Sequence, residues 1–266
     1  MTPPLRVGIV HYLNSRPLAW GFRRGQLGGG FDVRYLPPAA VADGLATAQL
    51  DVGLVPAIEL QRIPGLRALP GPCVAATREV RSVLLISRRE LGEIRRVSLD
   101  ENSRTSAVLV RILLRETYGV DAEYLQAPAE LDAMLARADA ALLIGDPALR
   151  VDRSAYRVLD LAAEWRRLTG HPFVFALWAA RDGVTRPQLA RPFRDSLSMG
   201  LSEMVELIDE AAAETGLGVD ELERYLTRNL SFLLGDEEQA GLEEFHRRAH
   251  AHGLIPELRP LQFLAD

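Results

Sequence analysis

Two hydrophobic rhythms alternate along this chain. Short runs of four to six apolar-rich residues, bounded by Gly, Pro and Asp, are separated by longer stretches in which apolar positions recur at helical spacing. The runs predict strands at 5–10, 31–36 and 51–55, with helices at 15–24 and 39–48 between them. A strongly apolar strand at 81–87 follows, then strands at 94–99, 122–125 and 140–144 with helices at 104–118 and 129–137. Another strand, 173–179, precedes helical spacing over 186–216, 220–229 and 236–252, with Asp236 as N-cap and Gly253 as terminator. Strands alternating with helices predict an α/β fold with mainly parallel sheets. The Gly-rich piece 25–30 falls after a helix rather than before one, so it reads as a turn and not as a phosphate cradle.

Part of this pattern occurs twice. Asn14-Ser15-Arg16 returns as Asn102-Ser103-Arg104, Phe31-Asp32-Val33-Arg34-Tyr35-Leu36 matches Val120-Asp121-Ala122-Glu123-Tyr124-Leu125, and Asp51 and Asp139 each open an apolar run. Two lobes of one plan are implied, with a site between them at the strand ends. The strands at 81–87 and 173–179 read as the crossings. They divide the chain into a discontinuous first α/β lobe, 1–86 and 180–266 with the C-terminal helices, and an inserted second lobe, 87–179, hinged near Ile86 and Ala179.

Composition narrows the chemistry. The chain has 266 residues, 48% of them apolar, and a net charge of −5, with no basic footprint for nucleic acid or an anionic membrane. No segment has the length and apolarity of a secretory signal or a membrane span, so a cytoplasmic location is expected. Cys73 is the single cysteine, which rules out an internal disulfide and reads as a small buried hydrophobe. All 31 basic residues are Arg, so Schiff-base chemistry and the lysine-dependent phosphate loop are excluded, leaving Arg, hydroxyls and backbone amides to hold anions.

Several segments are candidates for chemistry. Asn14-Ser15-Arg16-Pro17 sits at a strand-to-helix junction, where a helix cap and an anion seat look alike. Asn102-Ser103-Arg104-Thr105-Ser106 carries more hydrogen-bonding side chains than a cap needs. Asp146, after Gly145, reads as a cap, a ligand for a substrate hydroxyl or a base, and Ser82 faces either the cleft or the sheet. His246 and His250 share helical spacing without an accompanying carboxylate motif, which favours a structural role, and His171 reads as a loop residue.

Taken together, Tyr12-Leu13-Asn14-Ser15-Arg16-Pro17-Leu18, Asp51-Val52-Gly53-Leu54-Val55-Pro56, Val80-Arg81-Ser82-Val83, Ser103-Arg104-Thr105-Ser106, Ile144-Gly145-Asp146-Pro147-Ala148 and Pro172-Phe173-Val174-Phe175-Ala176-Leu177-Trp178 resemble the chorismate dehydratase family of the futalosine route to menaquinone. The resemblance spans residues 6 to about 180. It implies a two-lobed fold like the type II periplasmic binding proteins, and an enzyme that removes water from chorismate to give 3-[(1-carboxyvinyl)oxy]benzoate, with no metal or organic cofactor. On this reading Asn14 and Ser82 contact the reacting region, with Asp146 as the alternative proton acceptor. The expected substrate-binding residues are Tyr12, Ser15, Arg16, Pro56, Ser103, Arg104, Thr105, Ser106 and Gly145. The expected partner is small-molecule chorismate, with neither nucleic acid nor membrane. A non-catalytic solute-binding protein for a small carboxylate is the alternative, and the related dihydroxynaphthoate synthase is disfavoured by the Tyr-Leu-Asn-Ser-Arg-Pro loop.

Overall fold

The computed structural model describes residues 3–184 and 186–264; Met1, Thr2, Thr185, Ala265 and Asp266, which fall in the expected first lobe, lie outside the described residues. The chain opens with β1 (Leu5–Val10), a 3-10 turn (Leu13–Ser15), α1 (Arg16–Arg23), β2 (Phe31–Leu36), α2 (Pro38–Ala46), β3 (Val52–Pro56), α3 (Glu59–Arg62) and β4 (Arg67–Ala76). It continues through β5 (Val83–Ser87), β6 (Arg96–Asp100), α4 (Thr105–Tyr118), β7 (Glu123–Ala127), α5 (Leu131–Arg137), β8 (Ala140–Ile144), α6 (Asp146–Leu149), β9 (Arg157–Asp160) and α7 (Leu161–Thr169). The last part holds β10 (Phe173–Ala180), α8 (Arg191–Ser202), α9 (Met204–Thr215), α10 (Val219–Arg224), a π-helical turn (Tyr225–Asn229), β11 (Ser231–Leu233) and α11 (Asp236–Ala251).

The strands form two sheets on one plan. The first has the order β11-β4-β10-β3-β1-β2 and the second β7-β6-β8-β5-β9. In each, the repeated strands pair in parallel, β1 with β2 and β3, β6 with β7 and β8. An antiparallel strand then joins each sheet, β10 against β3 and β5 against β8. The repeated aspartates do the same work in both. Asp51 accepts the Arg6 backbone N–H at 3.0 Å, and Asp139 accepts that of Arg96 at 3.0 Å, fixing the start of each central strand to the start of its neighbour. Asp51 also holds the Arg6 and Arg181 guanidiniums, and the Arg6 contact above all keeps its carboxyl well below the usual carboxylate range.

The long strands are not the crossings. β5 lies wholly in the second sheet and β10 wholly in the first, so the chain changes sheets within 77–82 and again within 170–172, rather than at 86/87 and 179/180. The reason lies in burial on both faces. Val83 and Leu85 join the large core, while Leu84 and Ile86 face a separate cluster with Met134, Leu135 and Leu143. A strand this apolar is stabilised at the centre of a sheet, not in a connector.

The C-terminal helices return to the first lobe. α8 packs on α1 closely enough that a Cβ at Gly200 would lie 2.2 Å from the Pro17 carbonyl oxygen. α11 covers β10 and also touches α4. Its N-cap is Gly235 rather than Asp236, which is the first helical residue; Glu238 reaches back to accept the Gly235 N–H at 3.1 Å. No described helix is long and apolar enough to cross a membrane.

Candidate active site

A cleft of about 510 Å³, counting its open mouth, lies where both sheets present the ends of their strands. Its walls carry Tyr12, Asn14 and Pro56 from the first lobe and Asn102, Arg104, Thr105, Ser106 and Gly145 from the second, over an apolar lining that includes Leu54, Val83, Ile144 and Phe175. Seven of the residues expected at a binding or catalytic site therefore meet here, though they are drawn from segments far apart in the chain. Asn102 joins them.

The two lobes are in contact across this cleft. Gly145 adopts φ +65° and sits so close to the Tyr12 ring that a Cβ would lie 2.6 Å from it. Only glycine meets both conditions. Beside it, the Asp146 carboxylate accepts the Leu13 backbone N–H at 2.9 Å. Burial pushes the Asp146 carboxyl above its ordinary value, against the opposing pull of that N–H and of the Arg16, His11 and Arg150 charges. Asp146 thus anchors the Asn14 loop and is not one of the side chains lining the cleft.

The same contact changes the reading of the first-lobe anion seat. The amide that opens the 3-10 turn is already taken by a carboxylate of the protein itself. Ser15 is buried, and its hydroxyl donates to the Val10 and Tyr12 carbonyl oxygens, at 2.7 Å for the latter. Arg16 pairs with Glu214 on α9. Neither lines the cleft, because the turn winds tightly enough to point Ser15 back into its own loop.

The second-lobe seat is better preserved. α4 begins at Thr105 and directs its first turn at the cleft, so its unpaired amides and dipole favour an anion there. Ser106 lines the space directly. The Thr105 Oγ accepts the Ile58 N–H of the first lobe at 3.2 Å, a second contact between lobes. Arg104 pairs with Asp43 at 3.1 Å. Ser103 faces away, into a recess with Arg62 and Arg111, and its buried Oγ has no partner.

Ser82 is fully buried one step behind the cleft wall, next to Val83. Its position comes from a clamped crossing. Arg81 takes the left-handed conformation, φ +64°, and the Val80 and Arg81 amides both donate to Asp160, the latter at 2.7 Å. The Ser82 carbonyl accepts the Gly145 N–H at 2.8 Å. Tyr225, from the π-helical turn, donates its O–H to Ser82 Oγ at 2.7 Å.

Two participants were not legible in the sequence. Tyr225 lies in a segment without diagnostic pattern. Asp100 ends β6, and its Oδ1 accepts the Asn102 N–H at 2.9 Å; burial raises this carboxyl, against the pull of the Asn102 and Ile144 amides. An Asp two residues before an Asn is a turn signal that could have pointed to it. Burial, then the Asp100 and Asp146 charges, push the Tyr12 phenol far up, so it stands in the cleft as a neutral hydroxyl.

Other candidates stay structural. His246 is buried between the Gln61 amide, 3.0 Å from its Nδ1, and the Ala57 carbonyl, 3.2 Å from its Nε2, whereas His250 is exposed. Cys73 is buried, and burial raises its thiol far beyond physiological titration. Among the described residues, no group of three His, Cys, Asp or Glu is placed to hold a metal.

The architecture defines a two-lobed protein with an interlobe cleft, in a fold of the kind built by periplasmic binding proteins. An Archaeoglobus fulgidus protein of known structure aligns with a TM-score of 0.80 at 17% identity, covering 95% of this chain and 98% of that one. The periplasmic aliphatic sulphonate binding protein SsuA of Escherichia coli aligns with a TM-score of 0.63 at 15% identity, covering 100% and 95%. In sequence, residues 5–251 match the family described as menaquinone biosynthesis, to which the chain belongs. A chorismate dehydratase from Thermus thermophilus is 30% identical over 94% of this chain and 96% of its own length.

Proposed function

We propose that this protein is a cytoplasmic chorismate dehydratase, a hydro-lyase that binds chorismate between its lobes and releases 3-[(1-carboxyvinyl)oxy]benzoate and water. The observation that carries this reading is the convergence of Tyr12, Asn14, Thr105, Ser106 and Gly145 on one cleft, in a chain related to a chorismate dehydratase. The reaction breaks the C–H bond at the ether-bearing ring carbon and the C–O bond of the neighbouring hydroxyl. The C–H electron pair becomes the third ring double bond, and proton and hydroxide leave as water.

Aromatisation supplies the driving force, so the protein's task is orientation, a route for the proton and help for the departing hydroxyl. The first turn of α4, with Ser106 and the Arg104 charge, suits one substrate carboxylate. Asn14 reaches the cleft from the opposite lobe. An amide is barely basic, so its role is to orient the acceptor, a water or a substrate carboxylate. Ser82 acts from behind it, and closure about 77–82 and 170–172 brings the two halves together.

Incubation with chorismate, followed by absorbance and mass, tests the reading: an aromatic product lighter by one water is expected. Binding without turnover would replace this reading with a solute-binding role. Asn14→Ala is expected to cut kcat by roughly a hundredfold or more while chorismate still binds.

A further inference from the structure

Two side chains from distant parts of the chain meet behind the cleft wall: Ser82 from the crossing and Tyr225 from the C-terminal π-helical turn. The turn is fastened to the crossing at both ends. Tyr225 binds Ser82, and the Asn229 side-chain amide donates to the Glu79 carbonyl at 3.3 Å and to Glu79 Oε1 at 3.2 Å. Single π turns are energetically poor and recur at functional sites, where they re-aim a side chain. Here the re-aimed side chain is a phenol, 1% exposed, beside a serine with no exposure at all.

A phenol has one O–H to give, and Tyr225 gives it to Ser82 Oγ at 2.7 Å, so the serine is held from behind while its neighbour Val83 lines the cleft.

We propose that Tyr225 is a positioning residue that sets the orientation of the Ser82 hydroxyl behind the reacting region. The proposal deepens the dehydratase reading and rests on it for Ser82's role. It assigns a function to the C-terminal helices, which complete the site from outside the two repeated lobes. Burial, reinforced by the Asp146 charge and opposed by the Ser82 hydrogen bond, keeps the phenol protonated, so Tyr225 holds its neighbour without titrating.

Tyr225→Phe keeps the ring and removes only the oxygen. Loss of orientation rather than of binding should lower kcat roughly ten- to a hundredfold, with KM within about threefold of wild type. In a Ser82→Ala background the same substitution should cost much less, since the contact is already broken. A kcat within about twofold of wild type, or an equal fold-loss in both backgrounds, would overturn the proposal. If the wild-type protein leaves chorismate unchanged, the dehydratase reading fails first. A crystal structure of Tyr225→Phe then decides the positioning role: a displaced Ser82 side chain supports it, and an unmoved one refutes it.

Discussion

Asp146 and Leu13, 133 residues apart, are joined by one hydrogen bond in which a second-lobe carboxylate receives a first-lobe backbone amide at 2.9 Å. The bond does for the Asn14 loop what a bound anion would do at a free helix start. It also makes the placement of Asn14 depend on closure of the lobes, because the acceptor belongs to the opposite wall.

Asp146 can therefore be tested as an anchor against its alternative as a base. An Asn at this position keeps an oxygen for the Leu13 N–H, whereas Ala leaves a buried amide unsatisfied, a loss of about 1–3 kcal/mol. Asp146→Asn should retain most of kcat and Asp146→Ala should lose most of it, as steady-state kinetics with chorismate would show. Equal inactivation by both substitutions would mark Asp146 as a proton carrier.

Gly145 is constrained by its backbone and by its neighbour. Gly145→Ala places a methyl group 2.6 Å from the Tyr12 ring at a φ that L residues avoid, so the lobes cannot meet as they do here. Weaker chorismate binding and loss of ligand-induced compaction in small-angle scattering are expected. Wild-type behaviour in both measurements would show that the Tyr12–Gly145 contact is dispensable.

The two serines of the repeated segments should separate cleanly. Ser106 lines the cleft and Ser15 is tied to its own loop. Removing one hydroxyl from an anion site weakens it by about 1 kcal/mol or somewhat more, so Ser106→Ala should raise KM roughly five- to tenfold. Ser15→Ala should instead lower the melting temperature with little change in KM. The reverse outcome would return the anion seat to the first lobe.

His246 predicts a pH dependence of stability. Burial lowers its pKa from 6.5 to about 4, so the folded state binds fewer protons than the unfolded one. Its contribution is complete above pH 6.5 and is lost as pH falls from there to about 4, amounting to roughly 3 kcal/mol. Urea unfolding of wild type and His246→Gln at pH 7.5 and pH 5 should show the smaller acid loss in the variant. Parallel losses would place the acid sensitivity elsewhere.

The sequence by itself determined the repeated lobes. β1, β2, β6 and β8 lie close to their apolar runs, because a buried parallel strand needs local hydrophobicity that shows in a short window. The Asp51 and Asp139 equivalence was equally visible, since each aspartate precedes its strand and serves the neighbouring one. The polar Asn102–Ser106 segment was legible as a cluster, and the start of α4 brings part of it to the cleft. By contrast, β4 contains two prolines and a glycine that read as breakers, yet its bulged pairing with β10 accommodates them. β11 is three residues long, too short for any pattern to register.

Only the tertiary structure decided which polar residues face the cleft. Ser15 and Ser103 carry the same side chain in the same repeated tripeptide as cleft-lining neighbours, but a tight turn sends one into its own loop and the other into a separate recess. The amide that Asp146 holds comes from the opposite lobe, so its anchoring contact left no local signal. Tyr225 had no local signal because its partner, Ser82, is 143 residues away in sequence. Strand identity is encoded by hydrophobicity within a few residues, whereas the direction of a hydroxyl or amide is set by a donor or acceptor that only folding brings near.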